Sequence, residues 1–249
     1  MADTIVSAFQ QAIRLLLSGN PEVYATVYRS IYIAGVGVLL ACVWSIPLAV
    51  ALGLFNFRGK WVIKGIFNAL IGIPTVALGL VLFLLFYPPG ELGSLHLLYT
   101  LNGIAIGEAV LVTPIIVTFT SNAIATSDTQ LRDLARTLGA GRFRTSLTII
   151  RETLWSMILA ITAAFNRGFG ELGIALIVGG NFLGETRVLT TSISTEIDFG
   201  AFDFAMAYAI ILVAIVIALS LVIALAEKVI SQDRPLSRSF TWTWGRSSS

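Results

Sequence analysis

The sequence predicts an all-α integral membrane protein with five transmembrane helices, its N terminus outside and its C terminus in the cytoplasm. Three observations predict it. First, 56% of the 249 residues are hydrophobic and 12% are charged, against roughly 25% charged in an ordinary soluble domain. So few polar side chains cannot cover a water-soluble globule, and so much apolar surface excludes a disordered chain. Second, charge-poor runs recur at the length of about 20 residues that crosses a hydrocarbon layer of roughly 30 Å. Third, Lys and Arg are distributed very unevenly among the loops between those runs.

From the N terminus, residues 3–18 place Ile5, Phe9, Ala12 and Leu16 on one side of a helix, with Ser7, Gln10, Arg14 and Ser18 opposite. Such a helix lies flat on the outer surface or packs against its own bundle, and both placements stay open. It lacks the apolar core of a cleavable signal peptide. The first span lies between Arg29 and Arg58, and the second is the charge-free run of residues 65–90. Residues 101–124 make the third, interrupted only by Glu108, and the fourth runs from near Ser146 to Asn166 with Arg151 and Glu152 at its edge. Residues 205–226 make the fifth. The chain thus divides into an amphipathic segment (residues 1–22), a transmembrane domain (23–230) and a cytoplasmic tail (231–249). The Ser-, Trp- and Arg-rich end of that tail has no apolar period and is expected to be disordered.

Five spans sort the loops into two sets. Arg58, Lys60, Lys64, Arg132, Arg136, Arg142, Arg144, Arg151, Lys228, Arg234, Arg238 and Arg246 fall on one side, 12 of the 16 basic residues. The other side holds Arg14, Arg29, Arg167 and Arg187, together with several acidic residues. The first set is the cytoplasmic one.

Several chemistries are excluded. Cys42 and His96 are each the sole residue of their type, so a Cys/His metal set is not expected. No phosphate-binding loop is present, since Gly59-Lys60 is followed by Trp61. No clustered nucleophile, base or metal set marks an enzyme. No cofactor is expected on this chain.

The inner loop of residues 127–151 carries more order than a connector needs. Ser127 with Gln130 makes a capping-box pattern, predicting a helix that starts there. Leu131, Leu134, Ala135 and Leu138 follow at i, i+3, i+4 and i+7. Gly139 and Gly141 permit a sharp turn, and a second helical piece from Phe143 leads into the fourth span. Two short helices joined at glycine make a rigid projection.

Within that projection, Asp133-Leu134-Ala135-Arg136-Thr137-Leu138-Gly139-Ala140 resembles the EAA loop of ABC importer permeases. Asp133 stands at the glutamate position, Leu134 and Ala135 at the two alanines and Gly139 at the glycine. Asp for Glu, Leu for the first Ala, and Arg151-Glu152 for a Leu-Pro pair are departures. Gly170-Glu171-Leu172-Gly173 is similar to the Gly-Glu-Phe-Gly signature of molybdate and sulfate permeases. Val178-Gly179-Gly180-Asn181 and Thr186-Arg187-Val188-Leu189-Thr190-Thr191 look most like the tungstate branch, which Arg151-Glu152 also fits. The resemblance covers roughly residues 25–228 and implies a type I ABC permease working as a homodimer. It implies two ATP-binding subunits docked on the 127–145 loop through Leu131, Asp133, Leu134, Ala135, Leu138, Gly139 and Ala140. It also implies an extracytoplasmic solute-binding protein that delivers a tetrahedral oxyanion, with tungstate first and molybdate or sulfate as alternatives.

The expected pathway or gate residues are Arg167, Gly170, Glu171, Gly179, Gly180, Asn181, Thr190 and Thr191. The glycine-rich window of residues 168–180 is expected to break into a short re-entrant piece, because irregular backbone at membrane depth must line protein or a cavity. Asn181, Thr190, Thr191 and Ser192 supply neutral donors for an anion that must bind weakly. Pro114 predicts a kink. Glu108 sits about 10 Å into the third span, where a carboxylate is a functional candidate; a structural role, paired or protonated, is preferred. The rival from another class is a gradient-driven transporter or channel using Glu108 as a proton site, which leaves the capped projection unexplained.

Overall fold

A computed structural model describes residues 2–137 and 141–232. Among the described residues nine α-helices follow in order: α1 (Ala2–Leu17), α2 (Pro21–Leu54), α3 (Lys60–Leu70), α4 (Thr75–Phe86), α5 (Leu101–Thr137), α6 (Arg142–Phe169), α7 (Gly173–Ile177), α8 (Leu189–Asp198) and α9 (Phe202–Gln232). A 3₁₀ turn, Gly93–Leu95, lies between α4 and α5. Among the described residues, four helices are long and apolar enough to cross a membrane by themselves: α2, α5, α6 and α9.

The centre of the fold is the α2–α5 pair. Along α2 the buried positions include Ala34, Gly37, Ala41, Ser45, Ala49 and Gly53, small side chains three or four residues apart. In lipid, where apolar tails compete equally for apolar surface, such a stripe permits close backbone approach and dispersion does the rest. A Cβ added to Gly37 would lie 3.0 Å from the Ala105 carbonyl oxygen of α5. The two helices run in the same direction. Tyr32 donates to Asn102 (3.3 Å), Gly37 packs on Glu108, Trp44 Nε1 donates to Thr113 Oγ1 (2.8 Å), and Gly53 meets Ile124. Antiparallel α6 closes the trio, with Ile149 beside Leu54 and Ile124 at one end and Gly168 beside Glu108 nearer the other.

This parallel course decides what α3 and α4 do. They meet at 99° and together pass as one broken span or as a re-entrant loop. Because α2 ends and α5 begins at opposite faces of the bundle, the chain between them must return across it. The pair is therefore a broken span, and the bundle crosses five times. Sequence reading treated residues 65–90 as one run and missed the break. Gly72 N–H and Ile73 N–H close turns onto Ala69 and Leu70, and α4 starts only after Pro74. Proline lacks the N–H a continuing helix requires and pushes Ile73 out of the helical region.

One further expectation is corrected. Ser127 caps nothing, because α5 continues without a break through the membrane run to Thr137; no breaker lies between Ile124 and Ser127, so a cap signal there has no helix end to serve. The projection is thus the far end of α5 turning into α6, with Leu138, Gly139 and Ala140 outside the described residues. The helical piece expected from Phe143 is present: α6 starts at Arg142 and runs without a break through the fourth span to Phe169. Pro114 lies inside α5, which continues past it.

Of the two placements left open for the N-terminal helix, the structure has α1 packed on the bundle. Ala12 is buried with Phe169, Leu189, Ala207 and Ile211, and Leu15 lies against them, whereas Phe9 stays exposed. The far tail, residues 233–249, lies outside the described residues.

Candidate functional site

The segment between α6 and α8 is built as a polar knot at the bundle end opposite the α5–α6 turn. As expected for the glycine-rich window, it breaks: α6 stops at Phe169 and the five-residue α7 follows Leu172. Glu171 organises the break. Its buried Oε1 accepts from the N–H groups of Gly173 (2.7 Å) and Ile174 (3.3 Å), which are free donors at a helix start. Its Oε2 is 2.8 Å from Arg167 Nη1, one turn back on α6. Thr190 of α8 donates to the Glu171 carbonyl at 2.8 Å. Glu171, which sequence reasoning set on an anion route, is thus a neutralised clamp between α6, α7 and α8.

The loop that follows is equally self-contained. Asn181 holds a left-handed backbone (φ 56°). Its Nδ2 donates to Thr195 Oγ1 (2.8 Å), and its Oδ1 accepts from Arg187 Nε (3.2 Å). Thr186 donates to the Gly179 carbonyl (2.6 Å) and accepts from Phe182 N–H (2.9 Å). Thr191 accepts from Val188 N–H at 2.9 Å. The structure therefore brings Arg167, Gly170, Glu171, Gly179, Gly180, Asn181, Thr190 and Thr191 into one region. Many of their polar atoms are engaged with the loop itself.

Sequence reasoning missed the residue that fastens this loop to the bundle. Arg29, counted only as the edge of a span, is 6% exposed. Its Nε donates to the Arg187 carbonyl (2.8 Å) and Nη1 to the Gly184 carbonyl (3.1 Å), while Nη2 reaches Glu22 Oε1 (2.6 Å) and Thr26 Oγ1 (3.1 Å). Next to it, Ser30 Oγ accepts from Leu189 N–H at 2.8 Å. The available signal was the spacing Glu22, Thr26, Arg29, Ser30, one polar face at the start of a helix.

Below the knot lies α4. A Cβ on Gly173 would stand 2.9 Å from Thr75 Oγ1, and one on Gly79 would stand 3.2 Å from Ile177, so α4 and α7 touch nearly backbone to backbone. Glu108 sits deeper, 4% exposed between Gly37 and Gly168, and its Oε2 has no hydrogen-bond partner. At the other end of the bundle, Leu131, Asp133, Leu134 and Ala135 lie on the last turns of α5. No group of three or more His, Cys, Asp or Glu residues is arranged to hold a metal among the described residues.

Residues 45–234 match the family described as binding-protein-dependent transport system inner membrane component. The chain belongs to that family. It is 33% identical over 219 residues to the tungstate uptake system permease protein TupB of Peptoclostridium acidaminophilum, covering 88% of this chain and 96% of that one. It is 32% identical over 220 residues to the protein of the same description from Campylobacter jejuni, covering 88% and 92%. The molybdenum transport system permease protein ModB of Escherichia coli is 28% identical over 186 residues, 72% of this chain and 81% of that one. This family member is a multi-pass permease of the plasma membrane, the transport component of an ABC importer whose ATPase is a separate subunit.

Proposed function

We propose that this permease imports a tetrahedral oxyanion, tungstate in first place. It works as a homodimer with its N terminus outside, two ATP-binding subunits on the cytoplasmic α5–α6 turn and a solute-binding protein outside. One observation carries the choice of anion: the likeness to the two tungstate uptake permeases runs through 96% and 92% of their lengths. The molybdenum permease is less similar over a shorter stretch.

The chemistry of the knot supports the reading. A route for a dianion tolerates no bare carboxylate, and Glu171 is neutralised by Arg167 and two N–H donors. The loop held by Arg29 is a stiff outer rim, and the α4–α7 contact beneath it is the closed gate. Leu131, Asp133, Leu134, Ala135, Leu138, Gly139 and Ala140 carry the docking surface. ATP binding draws the two turns together, and the resulting two-state change opens the gate toward the binding protein. Hydrolysis then restores the inward-facing arrangement.

The test is uptake of labelled tungstate by proteoliposomes holding the permease, its ATP-binding subunit and the binding protein. ATP-dependent uptake, competed by unlabelled tungstate at lower concentration than molybdate or sulfate, is expected. Tighter competition by molybdate or sulfate would reassign the anion. Uptake by the permease alone, without the ATP-binding subunit, would overturn the importer reading.

A further inference from the structure

A cavity of about 300 Å³ opens between α3 and α5, in the half of the bundle nearer the α5–α6 turn. It lies far from the knot, since Thr118 stands about 25 Å along α5 from Leu101 at 1.5 Å per residue. Lys64, Asn68, Thr118, Ser121 and Asn122 supply its polar lining, with Trp61 at the rim. No carboxylate lines it. Among the described residues, no carboxylate pairs with the Lys64 ammonium. Thr118 is 7% exposed, and its Oγ1 has no hydrogen-bond partner.

Such a set has one kind of complement. An ammonium offers three donors, the amides of Asn68 and Asn122 offer two each, and the Thr118 hydroxyl offers one, while the Ser121 hydroxyl donates to the Thr118 carbonyl at 3.2 Å. A cavity rich in donors, with one unbalanced positive charge and no acid, suits a small ion whose oxygens accept on every side. A metal cation would find only neutral oxygens, no carboxylate, and the repulsion of the Lys64 ammonium. The site is also weak by construction. Asn68 is exposed and Lys64 half-buried, so water screens the attraction, and an ion that must leave needs a shallow well.

We propose that this α3–α5 cavity is an oxyanion subsite on the exit half of the pathway, with Lys64 as its charge and Thr118, Asn68 and Asn122 as its donors. The proposal rests on the importer reading above and supplies a position that reading lacks. It also assigns a use to the break at Gly72–Pro74: α3 leaves the axis followed by α4, and the cavity opens on the side of α5. The occupant is the free oxyanion; a lipid headgroup phosphate shares its chemistry and is separated by the test.

The test uses the full permease with its ATP-binding subunit, carrying Gly65→Cys in a Cys42→Ser background; Gly65 lines the cavity, supplies no donor, and has open space for a Cβ. The rate of reaction with uncharged N-ethylmaleimide is followed in detergent and in lipid nanodiscs. Sodium tungstate, molybdate and sulfate are each expected to slow the reaction at least about threefold relative to chloride at equal ionic strength. The slowing should vanish in Lys64→Gln and persist in Lys64→Arg. No slowing beyond chloride overturns the proposal, and protection by nanodisc lipid without added oxyanion overturns it in favour of the headgroup. In the reconstituted system, Lys64→Gln should lower the maximal uptake rate at least about threefold while the external half-saturation concentration and the ATPase response to loaded binding protein hold steady. Unchanged uptake would also overturn it. Thiol protection in the cysteine-bearing complex, with no tungstate import by the wild-type complex, would remove the proposed function and leave the subsite standing.

Discussion

Arg29 and Glu171 do related work at single-residue scale: each carries a charge into the bundle end and spends it on backbone groups of another segment. A guanidinium reaches two carbonyls, a carboxylate and a hydroxyl at once because its donors are fixed in a planar fork. Arg29→Ala strips those contacts and leaves the Gly184 and Arg187 carbonyls unpaired, so a loss of about 2–4 kcal/mol is expected. Lysine should recover little of it. Thermal unfolding in detergent, with amide exchange of residues 182–187, checks this; a variant as stable as wild type with unchanged exchange would refute the clamp. For Glu171, glutamine keeps one acceptor for the Gly173 and Ile174 amides but leaves Arg167 unpaired, whereas alanine removes both functions. Glu171→Ala is expected to destabilise more than Glu171→Gln, whose cost should be about 1–2 kcal/mol because Arg167 is partly solvated. Equal melting temperatures for the two would mean that the N–H contacts contribute nothing.

At the scale of elements, the contact between α4 and α7 depends on the absence of side chains. Gly173→Val places atoms where Thr75 Oγ1 and the Val76 backbone stand. Overpacking of about 1–3 kcal/mol is expected, with uptake falling further than membrane expression; normal uptake would show that α4 and α7 can part without cost. Gly139→Pro in the α5–α6 turn should uncouple ATP hydrolysis from uptake while insertion is retained, read as ATPase activity that no longer responds to the loaded binding protein. The elements themselves were legible to differing degrees. Charge-poor runs locate α2, α5 and α9 because the cost of burying charge in lipid is large and local. The α3–α4 break escaped that logic, since Ile71-Gly72-Ile73-Pro74 is as apolar as its flanks and only the missing proline donor speaks against a straight helix. Ser127 misled for the opposite reason: a capping pattern has force only where the preceding helix ends. Asn181, Thr190 and Thr191 were gathered from the motif, but the partners of Asn181 and Thr190, namely Thr195, Arg187 and the Glu171 carbonyl, lie up to 19 residues away, beyond any local periodicity.

For the whole molecule, five crossings put the start of α2 and the end of α9 on opposite faces, and the distribution of basic residues supports the proposed orientation, with the α5–α6 turn inside. An impermeant thiol reagent applied to intact cells should label a cysteine placed at Gly19 in a Cys42→Ser background and spare one placed at Gly59. The reverse pattern would invert the proposed orientation. The same architecture bears on how the protein is made. In the most apolar window of α5, 78% is buried inside the bundle, against 6% for α9. The last helix can therefore leave the insertion machinery for lipid alone, as an autonomous segment. The central one cannot be judged by its own sequence: it brings Glu108 into the membrane before α6 has been synthesised. Gly37 on α2, already inserted, is the first shelter that carboxylate meets, and Gly168 completes the enclosure only when the next hairpin closes. Assembly is thus ordered by the chain itself, with a polar atom waiting for its last wall.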